Sequence, residues 1–275
     1  MLTFTIDQNI CTSCSLCVAD CPARIIVMGD NGVPFIAEEN EAGCYKCQHC
    51  LAVCPTGALS ILGLKPGDGL PLPGGFPAAA SLEKLIKGRR SVRRYRDENL
   101  DRELLRHLLE VAWCAPTGMN SRQVRFTVVD DREKLSALRG EVMDGLARLV
   151  RDNALPEGME FFAGFVQMWQ EQKIDVLFRG APHLLIASAP KSAASPLPDC
   201  LIALSYFELF AQANGVGTVW NGLAKWAIND LLPETRQRLG IPDDHLIGYV
   251  MVFGRPAGHY SRTVQHGPAN IHTVA

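Results

Sequence analysis

The chain has 275 residues, a formal net charge of -2 and ten cysteines. A near-neutral chain offers no broad basic face, which argues against a nucleic-acid partner. The length allows two unequal domains, and the cysteines crowd into the first fifth of the sequence.

Residues 2–6 alternate in polarity and predict a short strand. The opening ten residues carry neither a basic region nor a long apolar run, so no secretory leader is expected there. Cys11, Cys14, Cys17 and Cys21-Pro22 follow, and the pattern returns as Cys44, Cys47, Cys50 and Cys54-Pro55. Two copies of C-x-x-C-x-x-C-x-x-x-C-P are the bacterial-type signature of paired 4Fe-4S clusters, in which the fourth cysteine of each run ligates the other run's cluster. One cluster then takes Cys11, Cys14, Cys17 and Cys54; the other takes Cys44, Cys47, Cys50 and Cys21. Three thiolates two residues apart wrap three corners of a cube only if the backbone curls tightly, and the proline then turns the chain away. Paired C-x-x-C motifs also hold zinc, but a tetrahedral ion has no use for a third cysteine at that spacing and a fourth before proline. A disulfide framework fits less well, since such an array belongs in a reducing compartment; a cytoplasmic location is expected.

Residues 24–28 and 58–62 read as equivalent strands, each following one cysteine run, so residues 1–62 form an internal duplication. That doubling resembles the small two-cluster ferredoxins. Residues 63–80 are dense in glycine and proline and read as a linker. A second domain then spans 81–275.

In that domain Ser81 is placed to cap a helix running to 87, and an amphipathic helix is predicted over 102–113. A strand over 126–130, helices over 133–151 and 160–177, and a buried strand over 183–188 follow. A nearly all-apolar helix over 199–213, a strand over 218–220, a helix over 228–239 and a strand over 246–253 complete the pattern. Residues 200–220 resemble a membrane span in composition, but Glu208, Gln212 and Asn214 interrupt them and Gly215 and Gly217 close them. A buried helix is expected instead, with no membrane association. Helices alternating with strands imply an α+β or α/β layered domain with its sheet covered on both faces. Cys114 and Cys200 read as small buried hydrophobes.

Arg89-Arg90-Ser91-Val92-Arg93-Arg94-Tyr95 collects forked cationic donors and a hydroxyl, a combination suited to an oxyanion. On charge alone it also reads as a solvated basic loop. The segment resembles the R-x-S-x-R/K flavin-phosphate element of the nitroreductase family. Ala115-Pro116-Thr117-Gly118-Met119-Asn120-Ser121 is similar to that family's A-P-S-x-x-N-S stretch. Residues 215–222 are similar to its G-x-G turn beside the flavin ring, and Gly254-Arg255-Pro256 with Arg262 to its G-x-P element and following arginine. One departure stands out: the family's N-S-Q-P-W becomes Asn120-Ser121-Arg122-Gln123-Val124.

The resemblance implies an α+β chain with an FMN site. It places Arg89, Arg90 and Ser91 on the phosphate and ribityl hydroxyls, with Arg262 closing on the phosphate. It places Arg93 near the N1/C2=O edge, Pro116, Thr117 and Asn120 along the ring, and backbone donors around Asn221 and Gly222 at N5 or O4. It further implies an intertwined homodimer with flavin at the interface. Glu208 is then expected to pair with an arginine at that interface. No G-x-G-x-x-G follows a strand, so no Rossmann dinucleotide site is expected. The resemblance implies that nicotinamide stacks directly on the flavin, and ferredoxin or NAD(P)H is the expected donor. The expected activity is an iron–sulfur flavoprotein oxidoreductase, in which electrons from the clusters reach FMN and a small organic acceptor of nitroaromatic, quinone or enone type. Two alternatives stay open: an electron-transfer module without its own small substrate, and reductive dehalogenation or flavin-modifying chemistry on the same fold.

Overall fold

The computed structural model describes residues 2–274. The chain divides into two compact units. One runs to Pro77 and includes Met119–Ser121; the other comprises Ala78–Gly118 and the chain from Arg122 onward.

In the first unit, β1 (Thr5–Ile6) pairs with β4 (Leu59–Ser60), and β2 (Ile26–Met28) pairs with β3 (Pro34–Ile36), both antiparallel. Two short helices, α1 (Leu16–Ala19) and α2 (His49–Val53), each begin at the middle of a cysteine run. The duplication extends to the backbone. Left-handed residues stand at Ser13 and Lys46, at Ser15 and Gln48, and at Arg24 and Gly57, each pair at the same place relative to its run. Side-chain-bearing residues rarely adopt this conformation, so five of them among six matched places mean that tight curling around a centre outweighs the local cost. The apolar core is small: Leu2, Ile26, Leu59 and Ile61 pack with Cys17 and Cys50. A core of this size does not support a fold by itself.

The second unit is built on a four-stranded antiparallel sheet. Its strands are β5 (Arg125–Val129), β6 (His183–Pro190), β7 (Gly217–Trp220) and β8 (His245–Gly254), in spatial order β5-β6-β8-β7. Alternation along β6 and β8 splits their side chains between two cores. Leu184, Ile186, Val250 and Val252 face one, which is filled by α5 (Arg132–Arg151) and α6 (Phe162–Gln172). Leu185, Ala187, Met251 and Phe253 face the other, against α4 (Arg102–Ala112) and α7 (Pro196–Ala213). Both faces of the sheet are therefore covered, and β6 reads as a continuous buried run for that reason. Helix α7 lies so close to β8 that a β-carbon on Gly248 would stand 2.2 Å from Cys200 Cβ.

Several boundaries differ from the sequence reading. Helix α3 (Ala79–Gly88) starts two residues before Ser81, which lies inside it; Ala78 occupies the cap. The expected helix over 160–177 ends at Gln172, because Lys173 turns left-handed. The expected helix over 228–239 is two pieces, a wide turn over Ala227–Leu231 and α9 (Pro233–Arg238), and a further short helix, α8 (Gly222–Trp226), precedes them. Pro233 cannot donate its share of a continuous helical ladder, so it begins a new helix instead. Strand β3 went unanticipated, since three residues opening on proline carry no periodic signal. Cys114, expected to be buried, is exposed, while Cys200 is buried as expected. Among the described residues no helix is long and apolar enough to cross a membrane.

Candidate functional site

The first unit holds two cavities. Cys11, Cys14, Cys17 and Cys54 line one. Cys21, Cys44, Cys47 and Cys50 line the other. All eight thiols are free. Among the described residues no three His, Cys, Asp or Glu side chains gather closely enough for a single ion. Four thiols around one cavity match the four corners that a cubane cluster offers its ligands. Backbone amides already point at sulfur: Lys46 N–H donates to Cys44 Sγ at 3.3 Å and Ala58 N–H to Cys54 Sγ at 3.2 Å. Burial pushes the Cys50 thiol up to about 11 and raises Cys17 as well. A cationic centre is what deprotonates thiols held this way. His49 Nδ1 lies 3.2 Å from Asp20 Oδ2 on the exposed side of the second cysteine set.

In the second unit, α3 ends at Arg89 and the arginine loop runs along β7. Val92 N–H donates to the Thr218 carbonyl at 2.9 Å, and Ser91 forms a parallel bridge with Thr218. The loop then pairs with the segment after β8: Arg96 N–H donates to the Arg255 carbonyl, and Ala257 N–H to that of Arg94. Tyr95 Oη anchors the loop from below, donating to the Val92 carbonyl at 2.7 Å. Three of the four motifs thus meet around one edge of the sheet. A cavity there is lined by Val92, Arg93, Arg94, Gly258, His259 and Tyr260.

The donors at this edge divide into occupied and free. Arg89 Nη1 donates to Glu208 Oε1 at 3.2 Å. Arg90 Nε is buried without a hydrogen-bond partner, a donor that an incoming oxyanion satisfies. Arg93 is exposed beside Arg94. Arg262 is exposed on the tail after β8. Asn221 is occupied throughout: its N–H donates to the Val250 carbonyl, its Nδ2 to that of Leu177, and its Oδ1 accepts from Ala224 N–H to cap α8.

The remaining motif lies after α4. Thr117 Oγ1 accepts from Arg122 N–H at 3.0 Å, and Gly118 N–H donates to buried Asp199 at 2.9 Å. Pro116 is exposed. Met119, Asn120 and Arg122 are all left-handed, and Asn120 Nδ2 donates to the Tyr45 carbonyl within the first unit. Arg122, in place of the family's glutamine, lies over Trp113 with its Cζ 4.9 Å from the ring centroid. Sequence reasoning missed Asp199 and Tyr260. A lone acid in a first helical turn and a tyrosine in a polar tail carry no periodic signal.

Fold and donor sets together define an α+β oxidoreductase with a ferredoxin-type iron–sulfur unit. Residues 86–255 match the nitroreductase family and residues 10–59 match the 4Fe-4S dicluster domain. The chain belongs to the nitroreductase family. A 4-nitrobenzoate reductase of Nocardioides is 35% identical over 201 residues, 62% of this chain and 79% of that protein. A putative NADH dehydrogenase/NAD(P)H nitroreductase of Methanothermobacter thermautotrophicus is 28% identical over 192 residues, 68% of this chain and 83% of that one. The crystal structure of an FMN-bound nitroreductase from Desulfitobacterium hafniense superposes with a TM-score of 0.53 at 25% identity, covering 70% of this chain and 98% of its own.

Proposed function

We propose that this protein is a cytoplasmic, homodimeric FMN oxidoreductase that reduces a small organic acceptor with electrons delivered through two 4Fe-4S clusters. Its order is a ferredoxin domain over 1–62, a linker over 63–80 and an FMN domain over 81–275. The observation that carries the reading is one chain holding eight thiols in two sets of four and a buried, partnerless arginine donor on a nitroreductase sheet edge. Relatives named as a nitrobenzoate reductase and an NAD(P)H nitroreductase support a small-molecule acceptor and a hydride or electron donor.

Bound FMN supplies the exchange between single electrons and electron pairs, and the clusters supply the single electrons. The protein holds and orients. Cys11, Cys14, Cys17 and Cys54 ligate one cluster, and Cys44, Cys47, Cys50 and Cys21 the other. Arg90 and Ser91 receive the phosphate, with Arg262 brought from the exposed tail, and Arg93 faces the N1/C2=O edge. Arg89 reaches the same phosphate with the donors that Glu208 leaves free. Gly222 presents its N–H to the ring edge while Asn221, fully engaged within the fold, sets the turn that aims it. Pro116, Thr117 and Asn120 line the ring, and in an intertwined homodimer of the kind the family resemblance implies, the two groups of residues come from different subunits. No side chain is required as a general acid.

The test is an anaerobic titration of purified protein with reduced ferredoxin, NADH and NADPH in turn, followed by addition of a nitroaromatic, a quinone or an enone. Cluster and flavin absorbance should bleach with one donor and return with one acceptor class. Reduced flavin that none of these acceptors reoxidises would refute the enzyme reading in favour of an electron-transfer module.

A further inference from the structure

Glu208 is the one carboxylate on the long apolar face of α7 that the sheet edge uses, and its side chain is only 9% exposed. Three donors converge on it. Arg89 Nη1 reaches Oε1 at 3.2 Å, Thr218 Oγ1 reaches the same oxygen at 3.2 Å, and Trp220 Nε1 reaches Oε2 at 3.0 Å. These donors come from three places: the end of α3, where the arginine loop begins, and the middle and end of β7, where the ring-edge turn begins. Backbone links already lay the loop along β7 through Val92 and Thr218. A buried carboxylate costs several kcal/mol of desolvation unless its lone pairs are filled, so a lone acid here needs all three donors at once.

We infer that Glu208 is a positioning residue of the flavin site: by holding Arg89 with one oxygen and Trp220 with the other, it sets the spacing between the phosphate-binding loop and the turn at Asn221–Gly222. The inference rests on the FMN reading above. Glu208 neutralises one arginine of the loop and fixes the direction of that arginine's remaining donors. A fork that is already aimed loses less rotamer freedom when an oxyanion arrives. Glutamine at 208 keeps the shape but presents an NH2 to one of the three donors, so one side of the clamp opens. Glu208→Gln removes a negative charge near the phosphate, which by itself favours binding, so a fall in phosphate preference reports lost orientation and not lost charge.

The test is a double-mutant cycle on the ratio of riboflavin to FMN dissociation constants, which isolates the phosphate's share of binding. Flavin-free protein with intact clusters is titrated as wild type, Glu208→Gln, Arg89→Met and the double variant. Glu208→Gln should lower the ratio about tenfold and add less than twofold in the Arg89→Met background. A ratio unchanged by Glu208→Gln, or effects that multiply in the double variant, would overturn the inference while leaving the FMN reading intact. Wild-type protein that does not prefer FMN would overturn both. If Glu208→Gln fails to fold, Thr218→Val removes one donor and keeps the charge. It should lower the ratio about threefold, and no change would count against the clamp.

Discussion

A β-carbon on Gly217 would stand 2.4 Å from Val92 Cγ2, so the arginine loop lies against β7 at a distance that only glycine permits. Gly217→Ala should force the loop away from the sheet. Overpacking of this kind costs about 1–3 kcal/mol. We expect a lowered melting temperature by tryptophan fluorescence, which reports the second unit because all four tryptophans belong to it. Bound flavin should fall in parallel. A variant of wild-type stability and flavin content would show that the loop is not docked there.

Cys54 stands with the first cysteine run although it follows the second. Cys54→Ala should therefore remove the cluster of Cys11, Cys14 and Cys17 and spare the other. Iron analysis should fall from roughly eight to roughly four per chain, and one of two sets of paramagnetic signals should vanish on reduction. Cys21→Ala should remove the opposite set. Loss of the same signals in both variants would contradict the crossed arrangement.

His183 is fully buried, and its Nε2 accepts from Leu100 N–H at 2.9 Å. Burial depresses its folded pKa below the ordinary value. The native state then binds fewer protons than the unfolded chain around that range. Its contribution to stability is complete above about pH 6.5 and declines as pH falls toward the depressed folded value. Thermal unfolding of the second unit should show this acid limb as pH falls below about 6.5. His183→Gln, which still offers Leu100 an acceptor, should flatten it. An unchanged slope would place the titrating group elsewhere.

Asp199 is buried on α7 and accepts from Gly118 N–H at 2.9 Å, fastening the loop after α4. Asp199→Ala strands that amide and should cost about 1–3 kcal/mol in denaturant unfolding. Asp199→Asn retains an acceptor and should cost less. Equal losses in the two variants would mean that the carboxylate's charge, and not this bond, matters.

Much of this architecture is legible in the sequence because its signals are local. Metal-type cysteine spacing follows from the reach of a curled backbone, so the iron–sulfur character of residues 10–59 needs no tertiary information. The buried strands at 183 and 246 and the helix α7 follow from apolar runs too long for a surface. Side-chain-to-side-chain pairing is another matter. Nothing in the order of residues says that Glu208 meets Arg89, 119 positions away, and not an arginine of a second subunit. Nor does it say that Asn221 spends every donor inside the fold, or that Arg90 keeps one buried and unpaired.

The sequence by itself determined the class of chemistry: two sets of soft ligands at cluster spacing, followed by an arginine-rich loop of the nitroreductase kind. Only the tertiary structure decided how those residues share their work. Ligand type and spacing are properties of a short stretch of chain, while the filling of a buried lone pair depends on which distant donors the packed sheet and helix bring within three ångströms.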